Sequence, residues 1–443
     1  MSTQSYLRRV WQPSATEPWN LQRVWHLHRR TGFGANWTEL QRDLQEGHEA
    51  AIERIATQMT NSLKDEDFEQ MSTTISDAAV ASGNINRLKA WWLYRMLKSP
   101  SPLVERLTLM WHNHFATSYA KVRDVSLMRQ QNELLRSHAS GSFTALLKQM
   151  SHDPALLLWL DADANRREHP NENLAREIME LFSLGVGNYT ERDIKEAARA
   201  LTGWTVKDAD FVNLAARHDS GEKEIFGRIG TWNGDDLIQL LIHHPATPNR
   251  IAWRLCDHFL GKANQAVVAE LADFLHQHDL NIKSAIDFIL RSEAFFREPN
   301  LGRRVCSPVE TIVAAVRSLE MTAPLPSTLL LAESASNLGQ DLFNPPNVFG
   351  WPGGRAWLTS RNMIGRVNLA GDLVAGNLHA AGYRFDAARL AHSHGFDAQE
   401  ECVQFFTMLL LGREEVPSDL RHSTNDLTRF VSSLLASPYA VAG

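Results

Sequence analysis

The sequence predicts an all-α, or mostly α, protein: a single large multi-helix body with irregular loop excursions. Apolar residues recur at steps of three and four along much of the chain, as in residues 84–97. Helix start and stop signals flank other segments: Pro170 precedes and Gly185 follows the pattern at 171–184, and Thr190 can cap a helix at 190–201. The stretch 205–232 breaks the pattern, and it has room for one small β-hairpin.

The chain shows no low-complexity tract and no fixed-period repeat. Successive helices with short connections indicate one body rather than separate domains. We therefore expect an extended N-terminal segment over 1–20, a main helical domain over 21–375, and a C-terminal helical segment over 376–443 that packs on it.

Composition argues against several classes of protein. The 45 Lys and Arg against 51 Asp and Glu give a net charge of -6, which opposes a nucleic-acid-binding protein. No apolar run is long enough for a membrane span, so a soluble protein is expected.

The three cysteines form no CxxC pair, and buried free thiols are the expectation. The N-terminus shows no credible signal peptide, which makes a cytoplasmic location the default and leaves export open.

Two histidines, His112 and His114, end a predicted helix and are candidate metal ligands. On a strand this spacing places both rings on one face, whereas on a continuous helix they diverge by roughly 200°. They can share an ion only if the helix unwinds there. The alternative is a buried core histidine beside a cationic residue at the helix end.

A polar helix face at 171–184 carries Asn171, Asn173, Arg176, Glu177 and Glu180. Glu177 and Glu180 are neighbours on a helix surface, so they can share a metal or act as an acid and base pair. Asn171, Asn173 and Arg176 would then contact a substrate. The alternative is a solvated surface, with Arg176 paired to a nearby glutamate.

His218 and Asp219 lie in the irregular stretch, just before Gly221. A His-Asp pair on a positioned loop suits a metal ligand or a general base. The alternative is a loop in which Asp219 binds local backbone amides. A serine hydrolase is not indicated, because the chain has no GxSxG motif.

The segment 343–357, which we name the Trp351 loop, contains three prolines and three glycines and cannot be a regular helix or strand. Its Trp351, Arg355 and Trp357 could form a wall for a sugar or another planar ligand. The alternative is that the tryptophans anchor the loop onto the helices.

Several long motifs of this chain resemble a bacterial family known as domain of unknown function 1800. The matching stretches are HLHRRTGFG at 26–34, WHNHFATS at 111–118, WLD at 159–161, NENLARE at 171–177, LTGW at 201–204 and PPNVFGWPGG at 345–354. The resemblance implies no established activity. Many members resemble exported proteins, and they are often encoded beside a family that looks similar to sulfatases.

Two hypotheses follow. The first is a metal-assisted or acid/base hydrolase acting on a glycan or another polar substrate. His112, His114 and His218 would bind zinc or manganese, and Glu177 and Glu180 would act as ligand and general base. The second is a helical scaffold without chemistry of its own, which docks the sulfatase-like companion and uses the polar motifs as a buried network.

Overall fold

Helices carry most of the chain, as the sequence predicts. The computed structural model describes residues 6–60, 65–261, 264–380 and 382–442. Its α-helices are α1 Leu21–Thr31, α2 Trp37–Glu46, α3 His48–Thr57, α4 Glu66–Ala81, α5 Ile85–Lys98, α6 Pro102–His114, α7 Tyr119–Val122, α8 Val125–Ser137, α9 Phe143–Ser151, α10 Pro154–Trp159, α11 Glu172–Glu177, α12 Glu191–Ala200, α13 Gly234–Ile242, α14 Ala246–Leu260, α15 Gln265–Gln277, α16 Ile282–Leu290, α17 Glu293–Phe296, α18 Pro308–Ser318, α19 Thr328–Asn337, α20 Ser360–Ala375, α21 Ala387–Ser393, α22 Gln399–Leu411 and α23 Leu427–Ala436.

Side-chain caps explain where many of these helices begin. Thr190 caps α12 and forms a capping box with Asp193, close to the predicted start of that helix. Asn171 caps α11, and the helix then continues as a π-helix over Ile178–Leu184. The hydroxyl of Ser183 donates to the carbonyl of Ile178, five residues earlier, at 2.7 Å, which fits the wider π turn.

Two small hairpins, rather than one, occupy the irregular stretch after α12. Strand β1 Trp204–Lys207 pairs antiparallel with β2 Asp210–Asn213, and β3 Lys223–Ile225 pairs with β4 Arg228–Gly230. Each hairpin turns through two residues with positive φ, the conformation that matches the twist of the paired strands.

Buried apolar side chains form two clusters. One centres on Trp111, Phe143 and Phe182. In the other, Phe405 and Phe430 of α22 and α23 join residues of α1 and α5. The C-terminal helices therefore share a core with the start of the chain, and the predicted boundary at 375 stays a prediction. All three cysteines are buried free thiols, as predicted. None of the described helices is long and apolar enough to cross a membrane.

The last described residues hold the loop between α17 and α18. Cys306 donates its backbone N–H to the carbonyl of Val441 at 2.8 Å, and Val305 forms a bridge with Ala442. Arg29 of α1 donates to the carbonyl of Ala440 at 2.8 Å. The last described residues therefore lie between this loop and α1 and contact both.

Candidate functional site

His112 is buried in an aromatic cage. Helix α6 continues through both histidines without unwinding, so the ring of His112 packs against Trp92, Phe343 and Trp351. Neither ring nitrogen has a hydrogen-bond partner among the described residues. Burial lowers the pKa of His112 to about 3, and the imidazole is neutral at physiological pH.

His114 lies in a different environment. Its ring contacts Phe115, Phe143 and Phe182, and its Nε2 lies 3.0 Å from the carbonyl oxygen of Phe182. Burial and then the nearby arginines lower its pKa well below the usual value. No aromatic ring thus contacts both histidines. The described ranges contain no group of three or more His, Cys, Asp or Glu that could hold a metal ion.

The two glutamates of the polar helix are close together, as their spacing predicts. Glu177 is half-buried, and burial followed by the charge of Glu180 raises its pKa. Glu180 accepts a hydrogen bond from the hydroxyl of Tyr189. A raised pKa is the property expected of a carboxyl group that acts as a general acid, and Glu177 has it.

The other predicted residues of this helix are occupied by local contacts. Arg176 binds Glu172 at 3.0 Å and Glu191 at 2.8 Å. Asn171 caps the helix through the backbone N–H of Asn173, and Asn173 donates to the carbonyl of Leu160 at 3.3 Å. The structure thus shows the alternative, in which Arg176 pairs with nearby glutamates.

His218 and Asp219 do not form a dyad with each other. Nδ1 of His218 donates to the carbonyl of Thr202 at 2.9 Å. Asp219 accepts from Nε of Arg199 at 2.7 Å and from the amide of Gly221 at 2.9 Å. The hydrogen bond from Arg199 lowers the pKa of Asp219. Both side chains thus fasten the hairpin region onto α12.

The Trp351 loop divides into anchors and an exposed edge. Trp351 and Trp357 are buried, as the anchoring alternative expects, whereas Arg355 and Phe349 are exposed. The exposed residues and the inner edges of both tryptophans line a cleft of about 980 Å³. Helices α6, α14 and α18 and the loop between α17 and α18 complete its walls.

Arginines dominate the polar lining of this cleft, which we name the arginine cleft. Its charged and aromatic residues are Trp253, Arg254, Asp257, His258, Arg303, Arg304, Glu310, Phe349, Trp351, Arg355 and Trp357. Four guanidinium groups therefore face two carboxylates. Arg303 and Arg355 are exposed and form no ion pair with any described residue.

Glu310 cannot neutralise the remaining arginines, because it is already paired. It lies 2.5 Å from Arg106 and 2.7 Å from Arg304. Although burial opposes ionisation, these two arginines lower the pKa of Glu310 well below its usual range. Its other oxygen accepts the backbone N–H of Ser307 at 2.6 Å.

Several buried donors and acceptors of the cleft lining lack partners. Nε of Arg254, Nε2 of His258 and Nε1 of Trp351 form no hydrogen bond with the described residues. Burial, then Arg106 and Arg304, lower the pKa of His258, so its imidazole is neutral. Such groups cost stability unless a ligand or water satisfies them. The cleft is thus suited to an anion, since guanidinium groups bind carboxylate, sulfate and phosphate through paired N–H donors.

Sequence reasoning identified Trp351, Arg355 and Trp357 but missed the rest of the cleft. The Arg303-Arg304 pair, just before the capping box of α18, is the one local signal that could have suggested a charged surface. Arg254 and His258 look like ordinary residues of an amphipathic helix. Their role depends on which helices pack together, and the spacing of residues in the sequence does not show this.

The chain belongs to the family described as protein of unknown function (DUF1800). The family model matches residues 26–437, which confirms the resemblance and extends it into the C-terminal helices. No curated protein and no solved structure matches the chain.

Proposed function

We propose that this protein binds an acidic carbohydrate in the arginine cleft. The observation that carries the proposal is the combination of exposed aromatic rings and unpaired arginines in one concave surface. The side chains of Trp253 and Phe349 are 44% and 69% exposed, and both line the cleft with Arg303 and Arg355.

The aromatic residues suit a sugar ring. Large apolar rings left in water favour contact with an apolar partner surface, and the C–H face of a pyranose is such a surface. Trp253 is held in place because the guanidinium of Arg250 stacks on its ring at 5.0 Å. A fixed ring loses little side-chain entropy when a ligand binds.

The arginines suit the acidic groups of such a ligand. Arg303 and Arg355 lie at the exposed part of the cleft without carboxylate partners, so a ligand carboxylate or sulfate need not displace an existing ion pair. A neutral sugar would leave this positive charge uncompensated. Charge on the ligand is therefore the property that should decide binding.

Hydrolysis is a second candidate, favoured by the raised pKa of Glu177 beside Glu180. Neither glutamate lines the arginine cleft, but Arg250 of α14 donates to the carbonyl of Leu181 in the π-helix at 3.0 Å, and Arg254, one turn later on α14, lines the cleft. Glu310, held ionised by two arginines, is unsuited to the role of a general acid. An acid/base hydrolase would therefore depend on the glutamate pair, and a Glu177→Gln variant should then lose activity while keeping its affinity.

The binding proposal is tested by calorimetry with a galacturonic acid oligomer and the matching neutral galactose oligomer. We expect the acidic oligomer alone to bind, and Trp253→Ala or the double variant Arg303→Gln/Arg355→Gln to weaken binding at least tenfold, about 1.4 kcal/mol. Arg87→Gln is the matched control, because Arg87 is exposed on α5 and lies outside the cleft. Equal binding of both oligomers, or equal losses in the control, would refute the proposal.

Docking of a sulfatase-like companion stays a prediction. Co-purification of the two proteins is its test. Retention of the companion by the double arginine variant would separate a docking surface from the arginine cleft.

A further inference from the structure

A group of buried arginines lies behind the floor of the arginine cleft. Arg30 and Arg106 are 0% and 1% exposed, and Arg304 reaches the same region from the loop between α17 and α18. Fully buried guanidinium groups are rare without partners, because removing the charge from water is costly. Their partners therefore indicate what the region is built to hold.

Arg30 is largely unpaired. Its Nη2 donates to the carbonyl of Asn300 at 3.4 Å, a long hydrogen bond, while Nε and Nη1 have no hydrogen-bond partner in the described ranges. Burial and then the positive charges of Arg304 and Arg106 lower the pKa of Arg30. The group thus has free donors and an unfavourable electrostatic environment.

Gly261 forms a thin part of the wall between Arg30 and the cleft. A side chain at this position would meet Nη2 and Nη1 of Arg30 at 3.6 and 3.8 Å, and Cβ of Arg304 at 3.5 Å. Gly261, Asn300 and Arg304 all line the cleft. A ligand group at this end of the cleft would therefore lie beside Arg304, with the guanidinium group of Arg30 on the other side of Gly261.

The charge of the region is not balanced by protein carboxylates. Glu310 is shared between Arg106 and Arg304, and Arg30 has no acidic partner among the described residues. Asp257 interacts electrostatically with both Arg254 and Arg304, so these two residues belong to the same region. Its four guanidinium groups, those of Arg30, Arg106, Arg254 and Arg304, and its two carboxylates leave two positive charges. His258, one turn before Gly261 on α14, adds an unpartnered Nε2 that can donate a hydrogen bond.

We propose that the inner end of the arginine cleft binds a tetrahedral oxyanion of charge −2, a phosphate or sulfate group, through Arg304 and His258, with the buried charge of Arg30 behind Gly261 adding to the attraction. This proposal rests on the proposed function, since it names the acidic group that the carbohydrate would carry. Two charges match the excess of the arginine group, whereas a carboxylate or chloride supplies one. A tetrahedral group also presents oxygens in several directions to donors from α14 and the loop before α18, unlike a planar carboxylate.

The test measures binding of inorganic phosphate and inorganic sulfate to the full chain by calorimetry, at constant ionic strength adjusted with sodium chloride. We expect at least one of them to bind at a stoichiometry of one. Arg304→Gln and His258→Gln should each weaken this binding at least tenfold, and Arg87→Gln should not. Arg304 and His258 are chosen because Arg30 is fully buried and its loss endangers folding.

The two ions distinguish the source of the ligand group: tighter binding of phosphate indicates a phosphorylated ligand, and tighter binding of sulfate a sulfated one. Failure of both ions to bind would overturn the proposal. Wild-type affinity in both Arg304→Gln and His258→Gln would overturn it as well. Galacturonate binding without oxyanion binding would remove this inference and leave the proposed function standing. Oxyanion binding without any carbohydrate binding would refute the proposed function and leave the oxyanion site standing.

Discussion

Asn113 Oδ1 accepts a hydrogen bond from the backbone N–H of Trp351 at 2.6 Å, across 238 residues of sequence. The asparagine between the histidines therefore joins the two family motifs by a hydrogen bond, next to the ring contact of His112 with Trp351. Gly350 makes this approach possible, because its φ is +81° and a side chain there would lie 2.6 Å from the carbonyl oxygen of Asn113.

Gly350→Ala should destabilise the protein by more than about 1 kcal/mol, because alanine disfavours this φ and its methyl group would push the Trp351 loop away from α6. Urea denaturation measures the change. Gly353→Ala in the same loop is the control: nothing lies within 4 Å of the added methyl group, so its effect should stay within about 0.5 kcal/mol. Equal effects of the two substitutions would contradict this account of the loop.

His112→Leu should fold with nearly unchanged stability at pH 7.5, since the neutral ring forms no hydrogen bond with any described residue. Its folded pKa of about 3 lies below the unfolded value of 6.5, so its neutral form stabilises the protein above pH 6.5. That contribution, at most about 5 kcal/mol, is lost as the pH falls from 6.5 towards 3.

Denaturation at pH 7.5 and pH 4.5 tests this sign. His112→Leu should lose less stability between the two values than the wild type does. The exposed His392 provides the control, and His392→Leu should behave as the wild type. The metal-ligand hypothesis for His112 stays a prediction, and a metal ion that co-purifies with the wild type but not with His112→Leu would support it.

Asp153→Asn should become relatively more stable as the pH rises. Asp153 is buried, accepts from Nε2 of Gln131 at 2.6 Å and caps α10 through Leu156 at 2.8 Å. Burial outweighs these hydrogen bonds and raises its pKa from 3.8 to about 6. The unfolded chain therefore ionises first, and the native state loses about 3 kcal/mol between pH 4 and pH 6 that the asparagine variant retains.

The measurement is the difference in unfolding free energy between wild type and Asp153→Asn at pH 4 and pH 7.5. Asp210→Asn is a suitable control, because Asp210 is exposed on β2. A pH-independent difference would show that Asp153 ionises normally in the folded protein.

Asp219→Asn should loosen the hairpin region without affecting ligand binding. The substitution weakens the pair with Arg199, whose Nε lies 2.7 Å from the carboxylate, and we expect a cost of about 1 kcal/mol. Limited proteolysis should show faster cleavage within residues 204–230, and galacturonate affinity should match the wild type. Loss of binding with intact proteolytic resistance would contradict this expectation and would support the predicted functional role of Asp219.

The sequence predicted the helices well where local signals decide structure. The cap at Thr190 and the stop at Gly185 appear close to the expected positions, because the hydrogen bonds that end a helix are local. The π-helix was not predictable, since a serine hydroxyl bonding backwards leaves no periodic signal. The second hairpin escaped because its strands have three residues each, too short for an alternating pattern.

The site was predictable only in part, for a different reason. Trp351, Arg355 and Trp357 occur in an unusual loop sequence, which drew attention to them. Arg303 and Arg254 line the cleft only because elements that are distant in sequence pack together. His218 and Asp219 formed a plausible motif, but each found a nearer partner in α12 or its following turn. The two residues are adjacent in sequence, but their side chains bond to different partners.

The attachment of the loop between α17 and α18 to the last described residues has a consequence for biosynthesis. Val305 and Cys306 contact Ala442 and Val441, and Arg29 binds the carbonyl of Ala440. Until residues 440–442 have been synthesised and have docked, Arg303 and Arg304 lack these neighbouring contacts. The arginine cleft should therefore be completed only at a late stage of folding.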